Sequence, residues 1–186
     1  LMSHEFNEVF LDNVRVPREN MVGPENEGWR VANTTLNFER SGVAYCALAR
    51  RNLDDIIQYT KEASRNGQPL IKDPLVRNKL GDLAASVEVG RMICYRVAWM
   101  QGKGLVPTYE AGMAKLYTTE LLKWVTATGM EILGLYGQLE AGSKWAYIRG
   151  RIERDHLTSL GLCIAMGTSE IQRNIIAWRG LGLPRS

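Results

Sequence analysis

The stretch LVRNKLGDLAASVEVGRMICYRVAWM, residues 75–100, decides the fold. Leu75, Val76, Leu80, Leu83, Val87 and Ile93 recur along it at the three- and four-residue spacings of an amphipathic helix, and no proline interrupts the run. The helix it specifies is about twice the globular average in length, so it needs partners of similar height. The chain supplies them on both sides. From about Trp29 to Thr60, Val31, Leu36, Phe38, Val43, Leu48 and Ile56 keep a helical period. From Tyr109 to about Leu135, Met113, Leu116, Leu121, Val125 and Ile132 do the same. Asn66-Gly67-Gln68-Pro69 breaks the chain before the quoted stretch, and Gly102-Lys103-Gly104 with Pro107 breaks it after. Shorter helices are expected near Lys144–Arg154 and Ser169–Arg179, with Gly180-Leu181-Gly182-Leu183-Pro184 ending the last. Three long helices and one or two shorter ones, joined by short loops, predict an all-α, up-and-down four-helix bundle.

The opening residues break that pattern. Residues 5–17, EFNEVFLDNVRVP, carry the strand formers Val9, Phe10, Leu11, Val14 and Val16, with a turn at Asp12-Asn13 and a stop at Pro17. Two short strands alone make no stable sheet, so their partners are expected upstream of this chain. Val22-Gly23-Pro24-Glu25-Asn26-Glu27-Gly28-Trp29 then leads into the first helix. The expected division is a short β remnant and linker over 1–24 and a helical bundle over 25–186.

Composition narrows the class. The 186 residues are 45% hydrophobic and 23% charged, ordinary for a globular domain. No apolar run of about 18 residues occurs, so no membrane span is expected. Leu1-Met2-Ser3-His4-Glu5 has neither a basic head nor an apolar run, so no secretory signal is read there. A net charge of +3 without a dense Lys/Arg run gives no nucleic-acid footprint. The basic residues are nonetheless skewed, 16 Arg against 7 Lys, and Arg forks suit phosphates and carboxylates at interfaces. Cys46, Cys94 and Cys163 are far apart, which argues against a disulfide framework or a zinc site and for a reducing, cytoplasmic setting.

Several chemistries fail on residue counts. A carboxylate-bridged metal site in a bundle needs two Glu-x-x-His pairs. Only Glu153 and His156 have that spacing, and the other histidine is His4, so no metal is expected. No Ser lies in a Gly-x-Ser-x-Gly turn, and no Walker or dinucleotide glycine loop occurs. Two features remain. In Leu36-Asn37-Phe38-Glu39-Arg40, a carboxylate sits within an apolar stretch. Glu39 there is either ion-paired, with Arg40 or another cation, or held in a dry pocket that raises its pKa. In Ala165-Met166-Gly167-Thr168-Ser169-Glu170-Ile171-Gln172, Ser169 and Gln172 have capping-box spacing and Gly167 permits close backbone approach. That helix start either is simply well capped or holds a phosphate, a flavin ring edge or a polarised carbonyl.

With these motifs the chain resembles the carboxy-terminal portion of the acyl-CoA dehydrogenases. Asn7 to Pro17, Val22-Gly23 and Glu27-Gly28-Trp29 look like the last strands of that family's middle β-domain and the lead into its bundle. Gly167 to Ala177, GTSEIQRNIIA, looks like its closing helix. The resemblance implies about half of an FAD-dependent enzyme that removes an α-proton and a β-hydride from an acyl-CoA thioester, with electron-transfer flavoprotein as acceptor. The fragment alone is then expected to be inactive. Many members carry the base just before the Gly-Thr of the closing motif, where this chain has Met166. The isovaleryl-CoA and long-chain members carry it on the first bundle helix in a Glu-Arg pair, which Glu39-Arg40 matches. The resemblance thus implies Glu39 as base, Arg40 as its orienting neighbour on the CoA side, Leu36 and Asn37 as walls near the pantetheine, and Gly167, Thr168 and Glu170 at the flavin.

Other positions depart from the pattern. The Arg by which a bundle reaches its neighbour's flavin diphosphate aligns with Ala63, the following aromatic with Asn66, and a Gln with Pro74. A Leu-Gly-Gly element reads Leu133-Gly134-Leu135. Ala63 cannot pair with a diphosphate, and Leu135 puts a side chain where backbone should approach. Retention of one half-site and loss of the other resembles catalytic-type subunits of actinobacterial heterotetrameric acyl-CoA dehydrogenases, with an α2β2 assembly alongside a paralogue. The alternative is a non-catalytic scaffold subunit in which Glu39 is only an ion-pair residue.

Overall fold

The computed structural model describes residues 7–185. Helices α1 (Gly28–Glu39), α2 (Val43–Glu62), α3 (Pro74–Gly102), α4 (Tyr109–Leu133), α5 (Arg151–Leu162) and α6 (Ser169–Ile175) follow in order, and a π-helical turn over Ile176–Gly180 extends the last. Helices α2 to α5 run up and down as a four-helix bundle, with α4 packed against α2, α3, α5 and α6. None of the described helices is long and apolar enough to cross a membrane.

The quoted stretch is helical throughout, but its buried stripe differs from the expected one. Val76, Leu80, Leu83, Val87, Gly90, Cys94 and Val97 face inward at alternating steps of four and three. Leu75 is 72% exposed, on the opposite face. Asp73 caps α3 by accepting from the Leu75 amide at 2.9 Å, and Pro74 opens its first turn, where no amide hydrogen is needed. Helix α2 buries Cys46, Ala49, Leu53, Ile56 and Thr60, while Val43 and Leu48 lie outside. The inner face of α2 mixes the small or mildly polar Cys46, Ala49 and Thr60 with the larger Leu53 and Ile56, the last packed against Gly129 of α4. Buried leucines, isoleucines and valines of α2 to α5 form one core, each contributing about 1.5–3 kcal/mol on burial.

The helix expected over Trp29–Thr60 is two helices. They meet at Arg40-Ser41-Gly42, where Gly42 adopts φ +73°. A Cβ on Gly42 would lie 2.8 Å from Thr118 Oγ1 and 3.0 Å from the Ala114 carbonyl oxygen, so the corner is pressed directly against α4. Hydrophobic period alone does not mark such a corner. The helix expected from Lys144 also starts later. Ile148 and Arg149 take left-handed angles in a 3-10 turn over Tyr147–Gly150, and α5 begins at Arg151, which is ion-paired with Asp55 of α2.

The described part of the expected β remnant, residues 7–17, forms no ladder. It is exposed throughout and bends at Asn13, φ +51°. Its strand edges have no neighbour to bond in this chain. Residues 5 and 6 lie outside the described part. A hairpin that the sequence reading had marked only as a break pairs β1 (Ser64–Arg65) with β2 (Gln68–Pro69). Asn66 and Gly67, both at positive φ, make its tight turn.

Up-and-down topology gives the bundle two distinct ends. One gathers the α1–α2 corner, the 103–108 loop and the 163–168 loop. The other holds the hairpin, the start of α3 and the 134–138 turn. The 20 residues of α2 separate them by about 30 Å.

Candidate active site

Leu36, Asn37, Glu39 and Arg40 occupy the last turn and C-cap of α1. Asn37 and Arg40 point inward, at 9% and 7% exposure, Leu36 is half-buried, and Glu39 faces out. The expected dry pocket around Glu39 is therefore not formed by this chain alone. Nor is the ion-paired reading realised: among the described residues Glu39 joins no salt bridge, and Arg40 turns away from it. Arg40 Nε donates instead to the Met166 carbonyl at 3.1 Å, across 126 positions of sequence. Burial and the nearby Arg179 charge push the Arg40 pKa down, and Glu39 partly offsets this. Burial, then Glu39, raises that of Tyr45, which stands half-buried beside the corner.

The Arg40 bond brings the two motifs singled out in the sequence to one place. The 163–168 loop is held from below by three buried donors. Arg40 reaches Met166, fully buried Lys115 donates Nζ to the Cys163 carbonyl at 3.2 Å, and Gln172 donates Nε2 to the Met166 and Gly167 carbonyls at 3.0 and 3.2 Å. Desolvation lowers the Lys115 pKa. Met166 and Gly167 turn through positive φ, +57° and +92°. Gly167 is needed on two counts: its left-handed backbone, and the 2.8 Å that would separate a Cβ there from Gln172 Nε2.

The capping differs from the expected box by one residue. Thr168 is the N-cap, its Oγ1 accepting from the Ile171 amide at 3.3 Å. Ser169 is buried and donates to Glu120 Oε1 of α4 at 2.6 Å. Glu120 is held below the usual carboxylate range by that bond first, and by Lys123. Glu170 is exposed, its pKa lowered by its own amide and by Thr168. Both hydroxyls thus have structural duties, which the Ser-x-x-Gln spacing could not distinguish. Lys115, Glu120 and Tyr45 were missed as site neighbours, because their importance arises from contacts across the bundle, and Gln172, expected in the capping box, instead bonds the Met166 and Gly167 carbonyls. The one available signal was a lysine within the apolar helix α4.

Chemically, the cluster offers a carboxylate at the rim that is unpaired among the described residues, a turn with a glycine at its centre, and two buried cations that face carbonyls rather than carboxylates. Thr168 is half-buried at this turn, and Gly167 adds no side chain to its surface, features that fit the edge of a flat ring such as a flavin. The Glu153–His156 pair lies elsewhere, with the His156 ring nitrogen Nδ1 3.3 Å from Thr126 Oγ1. His4 lies outside the described residues.

The far end differs in character. A cleft of about 390 Å³ is lined by Arg65, Asn66, Gln68, Pro69, Lys72 and Asp73 among others. Lys79 and Glu131 are ion-paired beside it, and Leu135 projects at 83% exposure.

Residues 26–181 match the family model described as "Acyl-CoA dehydrogenase, C-terminal domain". The chain is 37% identical over 183 residues to "Acyl-CoA dehydrogenase FadE26" of Mycobacterium tuberculosis, covering 95% of this chain and 45% of the relative. Among solved structures, it superposes on a chain of the ChsE4-ChsE5 complex from Mycobacterium tuberculosis with TM-score 0.84, at 35% identity, over 95% of this chain and 45% of that one. A chain of the "Tcur3481-Tcur3483 steroid ACAD" gives TM-score 0.82 at 30% identity, with the same 95% and 45% coverage. The chain thus spans about half the length of the relatives it matches.

Proposed function

The chain belongs to the acyl-CoA dehydrogenase family through its carboxy-terminal domain, and on that premise we propose that its full-length protein converts an acyl-CoA to the 2-enoyl-CoA with Glu39 as the base. One observation carries this reading: Arg40, the neighbour of Glu39, anchors the end of α1 to the Met166 carbonyl, so the helix end that bears Glu39 is tied to the Gly167–Thr168 turn, where Met166 stands in place of a carboxylate.

In the proposed reaction the Glu39 carboxylate takes the α-proton of the thioester and becomes the neutral acid. Bound FAD supplies the acceptor for the hydride that leaves the β-carbon, so that the C–C single bond becomes a double bond. Gly167, Thr168 and Glu170 are the positions this chain offers to that cofactor, and Arg40, Leu36 and Asn37 line the thioester side. A base for a carbon acid must be shielded from water at the moment of transfer. Glu39 is exposed here, so the acyl-CoA and the domain preceding residues 1–24 are assigned the covering role. A base on α1 leaves room at the turn for branched, long or bulky acyl groups. The steroid-side-chain CoA esters are the proposed substrate class, in keeping with the steroid relative. Electron-transfer flavoprotein is the proposed acceptor and the cytoplasm the proposed location.

We assign the chain to the catalytic-type subunit of an α2β2 pair. The ChsE4-ChsE5 and Tcur3481-Tcur3483 likenesses support that reading, as does the far end, where Ala63 and Leu135 replace the elements expected to hold a neighbour's flavin. The scaffold alternative, in which Glu39 is only an ion-pair residue, finds no such pair among the described residues. Glu39→Gln in the full-length, assembled enzyme is expected to lower kcat by about 10³-fold or more with flavin content unchanged. Retained turnover would sink the assignment. Expression without the paralogue is expected to leave the full-length chain poor in flavin. A homotetramer with one flavin per subunit would refute the pairing.

A further inference from the structure

We propose that Gln172 is a positioning residue that sets the Met166–Gly167–Thr168 turn against the end of α1, and that Gly112 of α4 exists to admit it. This rests on the function proposed above. Gln172 is fully buried, although an amide side chain is seldom so placed without all its partners. Its Nε2 donates to two consecutive carbonyls, those of Met166 and Gly167. The Met166 carbonyl is the one Arg40 also reaches, so one oxygen receives a donor from α1 and a donor from α6. Gln172 Oε1 has no partner. It sits over Gly112, where a Cβ would come within 3.1 Å of it.

Stability alone does not account for this arrangement. An apolar side chain of equal size would avoid the unsatisfied Oε1 but would leave the Gly167 carbonyl without its donor. What an apolar side chain cannot do is hold two successive carbonyls of a left-handed, strained turn pointing down. With the carbonyls drawn down, the Glu39 end of α1 and the Gly167–Thr168 turn keep a fixed spacing. Reaction at a carbon–hydrogen bond tolerates little error in that spacing.

The test uses the full-length enzyme with its partner subunit and two variants, Gln172→Met and Gly112→Ala. The first keeps the volume and removes both donors. The second presses on Oε1 without touching the turn. Amide hydrogen exchange at Ser169 and Ile171, whose amides bond back across the turn to the Cys163 carbonyl and to Thr168 Oγ1, is expected to quicken about tenfold in Gln172→Met, with the cores of α2 and α4 unchanged. Turnover should fall about 10- to 100-fold in kcat with KM little altered, as misplacement rather than lost binding predicts. Gly112→Ala should show the same pattern more weakly, and add nothing in the Gln172→Met background. Unchanged exchange at Ser169 and Ile171 in a folded variant overturns the proposal, as does a Gly112→Ala effect that survives in the double variant. If Gln172→Met does not fold, Gly112→Ala alone decides. A wild-type enzyme without dehydrogenase activity would defeat the proposed function, while the exchange measurement would still decide the clamp.

Discussion

Ser169 Oγ donates to the Glu120 carboxylate at 2.6 Å, and both groups lie where α6 leans on α4. Hydrogen bonds to a charged partner are worth more than neutral ones, so Ser169→Ala is expected to cost about 1–2 kcal/mol at neutral pH, Glu120 being partly solvated. The pH dependence has a definite sign. The folded-state pKa of Glu120 is depressed, so the bond's contribution is present above the unfolded value near 4.5 and is lost as pH falls through the folded value. Urea titrations from pH 7 downward check this: the gap between wild type and variant should be wide at pH 7 and narrow as the pH falls below 4.5. Lys115 runs the other way. Its pKa is lowered by burial, so the folded state holds its proton less tightly than the unfolded chain does. The cost of burying the charge is full below the folded pKa and is relieved as pH rises through it toward 10.5. The Cys163 carbonyl also accepts from the Ser169 amide at 3.1 Å, so it keeps a partner if Lys115 is removed. Lys115→Met is therefore expected to match or exceed wild-type stability at pH 7, with wild type gaining on it at alkaline pH. A variant less stable at pH 7 would show that the lysine's bond outweighs its desolvation.

At the scale of elements, the α1–α2 corner sets where Glu39 stands. Gly42→Ala places a Cβ against Thr118 and the Ala114 carbonyl and forces an L residue into left-handed angles. The two effects together are expected to cost roughly 2–4 kcal/mol, read from the shift in urea midpoint of the 186-residue chain. A cost under about 0.5 kcal/mol would mean that the corner relaxes freely. The corner also shows what the sequence could convey. Long helices with regular apolar spacing, α3 above all, were legible because burial there is periodic and large. The α1–α2 break was not, since Val31, Leu36 and Val43 keep a helical spacing across it and only Gly42 marks it. Ile56 was legible on the inner face of α2, but Cys46, Ala49 and Thr60 beside it were not, since hydrophobic patterning overlooks small and mildly polar side chains. Glu39 and the Gly167–Thr168 turn were legible as separate motifs, and the family resemblance joined them. The Arg40–Met166 bond that joins them physically depends on tertiary packing across 126 positions, so no local spacing encodes it.

For the whole molecule, the length of α2 sets a constraint. The Glu39 end and the hairpin end are about 30 Å apart, so one bundle cannot bring both to one flavin. On the proposed function each end serves a different site, and the hairpin end is the one assigned to a neighbour. Here that end has Ala63 in place of the expected Arg, an exposed Leu135, and a lysine already neutralised by Glu131. Arg65 and Lys72 remain at its cleft as the cations available to an anionic partner. If the chain has given up the donated half-site, those two charges are dispensable for cofactor binding. Arg65→Ala with Lys72→Ala in the assembled full-length enzyme is then expected to leave flavin stoichiometry unchanged and kcat within about twofold, since exposed charges that meet no ligand contribute little. A loss of bound flavin on removing two charges this far from Glu39 would mean that the hairpin end still holds a neighbour's cofactor. The same pair of substitutions thus reports on the division of labour between subunits, independently of any change to the base.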